Sequence, residues 1–203
     1  LRNFSAPVIL QYPYTLDELK LLIAHETDDF AKWEALQILI EKVLFAHDTT
    51  ENRAQILGDA LEPLFAKVEE SPEFSALLFT LPDDAYLLGK MEAPDAVRLH
   101  NLKESMTEAL AIRFEANWRK IYQEFTQDTP AHRALKNRAL HYLSYLEGAD
   151  ALTQAHFEKA EASENMTDLS AALTAAVMRN LSNKEMLLAR FYERFKEYPT
   201  VID

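Results

Sequence analysis

Apolar residues recur at intervals of three and four along most of the chain after residue 14. This period is typical of helices that bury one face. The two longest stripes predict one helix that begins at Asp28 or Asp29 and another that runs from Pro94-Asp95 to about Phe125. The inward residues are Phe30, Trp33, Leu36, Ile40, Val43 and Leu44 in the first, and Leu99, Leu102, Met106, Leu110, Phe114, Trp118, Ile121, Tyr122 and Phe125 in the second.

Capping residues mark where further helices begin. Thr15 and Glu18 have the spacing of a capping box, in which each side chain bonds a free backbone N–H of the other. A third helix is expected over about 50–69, and Pro63 should kink it or end it early because proline lacks an N–H. Other starts are expected at Ser71-Pro72, Asp83 or Asp84, Thr129-Pro130 (a helix ending at Gly148), Leu152, Asn165 or Thr167, and Ser182 with Glu185 (a helix reaching Tyr198).

The first fourteen residues differ from the rest. Pro7 and Pro13 oppose a helix, and the run Val8 to Leu10 suits a strand. The chain therefore divides into an extended segment, 1–14, and a helical domain, 15–203. With nine or ten helices joined by short polar turns, the sequence predicts an all-α fold, an irregular armadillo-like or HEAT-like stack of antiparallel helix pairs.

Composition supports helices and excludes several classes of function. The chain has 203 residues with only 3 Gly and no Cys, so glycine-rich turns and disulfide or thiolate chemistry are excluded. Its net charge of −12 argues against nucleic acid as a partner. No apolar run approaches the roughly 20 residues of a membrane span, so no membrane association is expected.

One segment begins like a zinc motif. His25 and Glu26 match the first half of H-E-x-x-H, in which two histidines one turn apart bind zinc. The fifth position is Asp29, and the segment lies where one predicted helix gives way to the next. We therefore expect Asp28 or Asp29 to cap a helix rather than to bind a metal.

No other residues have the spacing of an active site. The remaining histidines are predicted to be solvated or capped, and the carboxylates are expected on polar faces. We accordingly assign no catalytic, cofactor-binding or metal role to any residue of this chain. The histidines concerned are His47, His100, His132, His141 and His156, and the carboxylates Glu69, Glu70, Asp83, Asp84, Glu158, Glu161 and Glu164.

Three segments nevertheless resemble one enzyme family. Residues 2–8, 28–37 and 165–168 are similar, in this order and at these separations, to the C-terminal helical domain of bacterial aminopeptidase N (alanyl aminopeptidase). The second segment has an acid-Phe-x-x-Trp-x-x-x-Gln pattern, and the third is Asn-Met-Thr-Asp. Thr80-Leu81-Pro82 is a weaker match. The resemblance covers the whole chain.

The resemblance implies a function for the parent protein. Members of that family are thermolysin-like zinc peptidases, whose H-E-x-x-H motif lies in a catalytic domain that precedes the helical one. By implication this chain is a non-catalytic domain that encloses the active-site cavity of a cytoplasmic aminopeptidase. Its partners would be the catalytic and β-sandwich domains of the same protein and peptides in the cavity, and zinc would be bound outside this segment.

Two other expectations accompany this one. Family members continue beyond the position of Asp203, so the helical domain is expected to be truncated, with an apolar face on its last helices. The alternative function is a stand-alone helical-repeat scaffold that binds proteins. An enzyme that uses the His25 region is the least favoured hypothesis.

Overall fold

A computed structural model describes residues 12–46 and 48–202, and helices dominate them. Twelve α-helices and one 3₁₀ helix, Glu62–Lys67, follow one another in the described residues, with no strand among them. The α-helices are α1 Leu16–His25, α2 Asp29–Phe45, α3 Thr50–Leu61, α4 Pro72–Leu78, α5 Asp84–Leu88, α6 Ala96–Arg113, α7 Glu115–Glu124, α8 Pro130–Leu143, α9 Ala149–Ala162, α10 Met166–Met178, α11 Lys184–Phe195 and α12 Pro199–Ile202. The all-α prediction is confirmed.

Most of the predicted helix starts are confirmed at the level of single hydrogen bonds. The Thr15 side chain accepts the Glu18 N–H, and the Glu18 carboxylate accepts the Thr15 N–H, which completes the capping box of α1. Asn165, and not Thr167, caps α10 by accepting the Asp168 N–H at 3.2 Å. Such bonds satisfy backbone donors that have no partner within the helix.

Pro63 has the predicted effect. The third helix ends at Leu61, and the chain continues as the 3₁₀ helix with Pro63 in its first turn. A proline is tolerated there because the first N–H groups of a helix have no internal partner.

The prediction of one long helix from residue 94 to 125 is wrong. The helix stops at Arg113, and Phe114 has backbone angles of φ −112° and ψ 24°, outside the helical range. Phe114 is buried, and its ring lies edge-on against Trp118 with 6.4 Å between ring centroids. The apolar stripe continues through the break, so the stripe alone cannot reveal it.

Further predicted boundaries in the second half are wrong. The helix expected to start at Leu152 begins three residues earlier, at Ala149. Gly148 does not end α8, which stops at Leu143; it precedes α9 with φ +85°, a left-handed conformation that glycine adopts without steric cost. Ser182 forms no capping box with Glu185. Its N–H and hydroxyl both bond the Asp150 carboxylate, so it connects the start of α11 to α9 instead.

The described residues form two compact units. The first unit comprises α1 to α6, up to Arg113; in it α1 packs on α2, α2 on α3 and α4, and α3 and α5 on α6. Its core is aliphatic apart from Phe79 and Met106. Its completely or almost completely buried members include Leu19, Ile23, Leu36, Leu39, Ile40, Leu44, Leu57, Leu87, Met106, Leu110 and Ala111.

The second unit comprises α7 to α12, from Phe114 onward. Here α7 packs on α8, α10 packs on both α8 and α9, and α11 packs on α10. Trp118 is fully buried and stacks on Tyr142 at 4.2 Å between centroids. Small residues on α10, Ala172 and Ala176, are fully buried against Phe157 of α9, so the alanine run permits close helix packing.

The ends of the chain leave two predictions untested. The predicted strand at 8–10 and most of the segment 1–14 lie outside the described residues. At the other end, the large side chains Leu188, Tyr192 and Tyr198 are exposed, but the expected further helices stay a prediction. Within the described residues, no helix has the length and apolar character needed to cross a membrane.

Candidate functional site

The His25 segment is a junction between two helices. His25 is the last residue of α1 and is exposed, whereas Asp29 is the first residue of α2. Asp28 caps α2 by accepting the Ala31 N–H at 2.9 Å, which confirms the capping prediction. The Glu26 carboxylate accepts the N–H groups of Thr27 and Asp28. These positions do not share a helical face, so the segment lacks the geometry that the zinc motif requires.

The other histidines lie in different surroundings. His100 is exposed on α6, and His47 lies outside the described residues. His132 packs against Phe125 with 5.0 Å between ring centroids, and His141 contacts the ring of Tyr145. Among the described residues, no three His, Asp or Glu side chains are arranged to hold a metal ion, so the donors present do not fit a zinc site.

His156 contradicts the prediction that every histidine is solvated or capped. Only 3% of its surface is exposed, and it contacts residues from two other helices. Its Nδ1 lies 2.9 Å from the hydroxyl of Tyr122 on α7, and its Nε2 lies 4.0 Å from an oxygen of Asp168 on α10. Asn137 on α8 donates to the same Asp168 oxygen at 2.8 Å. We call Tyr122, Asn137, His156 and Asp168 the buried polar cluster.

The electrostatics of the buried polar cluster indicate the protonation states of His156 and Tyr122. Burial lowers the pKa of His156 to about 4, so the ring is neutral at pH 7. Burial, together with Asp168, raises the pKa of Tyr122 to about 12, so the phenol keeps its proton. The consistent arrangement has the Tyr122 O–H donating to Nδ1 and the Nε2–H of His156 directed toward the Asp168 carboxylate.

This arrangement resembles an acid–base relay in composition but not in accessibility. The phenol is a poor acid at neutral pH because its pKa is raised, and His156 is shielded from solvent. Its Nε2 and the nearby Thr153 Oγ1 are buried without a hydrogen-bond partner. The cluster therefore connects four helices through polar contacts and offers no reactive group to a substrate.

The sequence contained a faint signal for this cluster. Thr153, His156 and Phe157 recur at the helical spacing of the buried face of α9, so a polar residue at position 156 had to be buried. Its partners are 34 residues before and 12 residues after it in sequence, and no local motif connects them.

The acidic residues singled out in the sequence are mostly engaged in surface contacts. Asp83 caps α5 by accepting the Ala85 N–H, and Asp84 pairs with Lys103. On the second unit, Arg190 binds both Glu158 and Glu161, connecting α11 to α9, and Arg194 binds Glu164. These contacts position helices rather than prepare an acid–base pair.

The first unit has a groove with a mixed polar and apolar lining. It has a volume of about 710 Å³ and lies between α2 and the segment from α4 to α5. Trp33, Leu77 and Leu81 supply apolar walls, and Tyr86 lies at one side with its hydroxyl 3.4 Å from Glu41. Two of its lining residues, Trp33 and Gln37, belong to residues 28–37, the second of the segments that resemble the aminopeptidase N family.

Comparison with known proteins supports the family resemblance. The family model described as "Domain of unknown function (DUF3458_C) ARM repeats" matches residues 16–203, which confirms the armadillo-like fold class. The chain is 28% identical over 217 residues to aminopeptidase N of Escherichia coli K12, and 30% identical over 216 residues to aminopeptidase N of Caulobacter vibrioides. The alignments cover 99% and 100% of this chain but only 24% and 25% of those proteins.

A solved structure shows the same fold. The crystal structure of Legionella pneumophila aminopeptidase A in complex with aspartic acid superimposes with a TM-score of 0.82 and 22% sequence identity. The match covers 99% of this chain and 26% of that one. The chain thus spans about a quarter of the length of the relatives it matches, and its predicted similarity to aminopeptidase N is confirmed.

Proposed function

The chain belongs to the family of ARM-repeat domains whose model matches residues 16–203, and from this membership we propose that it is the non-catalytic C-terminal helical domain of an aminopeptidase. The parent protein would remove N-terminal residues from peptides with a zinc ion bound by another domain. This chain would enclose the active-site cavity.

The observation on which the proposal rests is the extent of the similarity. Full-length alignment of this chain to about a quarter of several aminopeptidases N is what a single domain of such an enzyme would give. His25, Glu26 and Asp29 lie at a helix junction. This position supports a structural role for the segment whose sequence most resembles a zinc motif.

The remaining elements of the proposal concern its surroundings. Residues 1–14 would connect to a preceding β-sandwich domain, and residues 15–203 would form the helical domain. The catalytic and β-sandwich domains of the same protein and peptides in the cavity would be its partners. A cytoplasmic location is compatible with a chain that contains no cysteine.

The experiment uses the whole protein that contains this chain. Hydrolysis of alanine p-nitroanilide and bound zinc are measured before and after His25→Ala, with His100→Ala as an exposed control on another helix. We expect both variants to retain activity within about twofold and a full complement of zinc. Loss of zinc together with activity in His25→Ala alone would overturn the proposal in favour of a metal-binding role.

A protein-binding scaffold is the second candidate, and the groove beside Trp33 is the observation that favours it. The groove has exposed apolar side chains, Leu77 at 49% and Tyr86 at 44% exposure, that a bound segment could cover. If the whole protein hydrolyses no N-terminal aminoacyl substrate, and Leu77→Asp abolishes its binding to a purified protein partner, the scaffold function replaces the enzymatic one.

A further inference from the structure

The buried polar cluster joins helices that are far apart in sequence, and it does so through a titratable ring. We propose that it is a pH-sensitive switch of the second unit: neutral His156 is buried against α7 and α10 in the closed state, and acidification favours opening at the start of α10. The proposal does not depend on the function of the parent protein.

The burial of His156 and its hydrogen bond to Tyr122 fit a neutral ring. Nδ1 of His156 can accept the Tyr122 O–H, at 2.9 Å, only while that nitrogen has no proton. A second proton would turn the nitrogen into a donor facing the hydrogen of the phenol. The Tyr122 hydroxyl would then have to reverse its bond inside a half-buried site.

The charges that face His156 come from every helix packed against it. Tyr122 of α7 is uncharged, α8 contributes the cation Lys136, and α10 contributes the anion Asp168. Lys159 lies on α9 itself and adds a second cation. Asp168 favours the imidazolium, but both lysines and the loss of water oppose it, and burial is the largest of these effects.

Asp168 lies in the part of α10 that is expected to open. It lies in the first turn of α10 and bonds Asn137, and its own N–H is held by the cap residue Asn165. When α10 opens at this end, His156 reaches water and can take up its proton. Acid therefore favours the opened state over the closed one.

The pH dependence of the opening equilibrium follows from the pKa of His156 in the closed state and in the opened state. Burial lowers the pKa of His156 from 6.5 to about 4 in the closed state, so between these values only the opened state binds the proton. Stability is complete above pH 6.5 and falls as the pH decreases toward 4. The opening equilibrium should increase about 30-fold between pH 8 and pH 5.

The test is hydrogen exchange of the amides of α9 and α10 from pH 8 to pH 5, corrected for the intrinsic exchange rate. The chain and His100→Gln, an exposed histidine on α6, should both show the 30-fold increase in opening. His156→Gln should remove it, because the amide does not titrate. An equal increase in His156→Gln would overturn the proposal.

A second measurement decides the question if His156→Gln does not fold. The imidazole carbon–proton signals of the unmodified chain are followed by NMR over the same pH range. We expect the His156 signal to keep its neutral shift to pH 5 in the closed state. Titration of His156 near pH 6.5 with the α10 amides still protected would contradict the switch.

Discussion

The two units hold their helices together with different polar groups. In the first unit, Arg53 is buried and donates to the carbonyl oxygens of Val43, at 3.1 Å, and Ala46, at 2.6 Å, at the end of α2. In the second, the buried polar contacts between helices pass through His156 and its neighbours. A guanidinium stays charged at every physiological pH, whereas an imidazole does not, so the second unit should respond more strongly to mild acid.

The surface charge of the units also differs. Residues 1–113 contain 20 of the 33 acidic and 10 of the 21 basic residues, whereas residues 114–203 are nearly balanced. Arg113 offsets part of this excess by binding Asp59 and Glu62, and it can lie against α3 because Gly58 has no side chain there. The first unit thus combines an acidic surface with permanently charged internal contacts.

The largest expected effect is the loss of stability of the second unit when its aromatic core is disrupted. Trp118→Ala removes a fully buried ring that stacks on Tyr142, and should lower the free energy of unfolding of this unit by about 4 kcal/mol. Urea unfolding followed by hydrogen exchange of α7 and α8 measures it. Lys120→Ala, on the exposed face of the same helix, is the control and should change little. A loss below about 1 kcal/mol would show that the stack contributes less than its burial indicates.

Acidification tests the difference between the units directly. Between pH 6.5 and 4, the lowered pKa of His156 should reduce the unfolding free energy of the second unit by about 3 kcal/mol, because the unfolded chain binds the proton first. Within the described residues of the first unit no histidine is buried, so its stability should change less over the upper part of this range. Unfolding curves recorded at intervals of half a pH unit give both values. If the unfolding free energies of both units fell equally with pH, the two units would not differ in their response to acid.

A smaller effect is expected from the buried guanidinium of the first unit. Arg53→Met keeps most of the side-chain volume but leaves two carbonyl oxygens at the end of α2 without a donor, at a cost of about 2 kcal/mol. Arg98→Met, on the exposed part of α6, is the matched control. The cost should be the same at pH 8 and pH 5, and a strong pH dependence would contradict the role assigned to Arg53.

The smallest of these effects concerns one helix cap. Asn165→Ala should cost about 1 kcal/mol, since the Asp168 N–H loses its acceptor, whereas Thr167→Ala should be nearly neutral because that side chain is exposed. Thermal unfolding of the two variants side by side measures the difference. A larger loss in Thr167→Ala would reassign the cap.

Local signals in the sequence were sufficient for much of the fold. The starts at Thr15, Asp28 and Thr129 depend on contacts within four residues, and the structure has each of them. The break at Phe114 was not predictable, because the apolar period continues across it. His156 was also missed, since its neighbours on α7, α8 and α10 are set by helix packing rather than by sequence spacing.

We propose above that this chain contributes structure, and not catalysis, to a zinc aminopeptidase. The most direct test is to purify the chain alone, incubate it with zinc, and measure both bound metal and hydrolysis of alanine p-nitroanilide, with the whole protein as the positive control. We predict no stoichiometric zinc and no hydrolysis above background in the chain, and both in the whole protein. One zinc per chain with measurable hydrolysis would contradict the account.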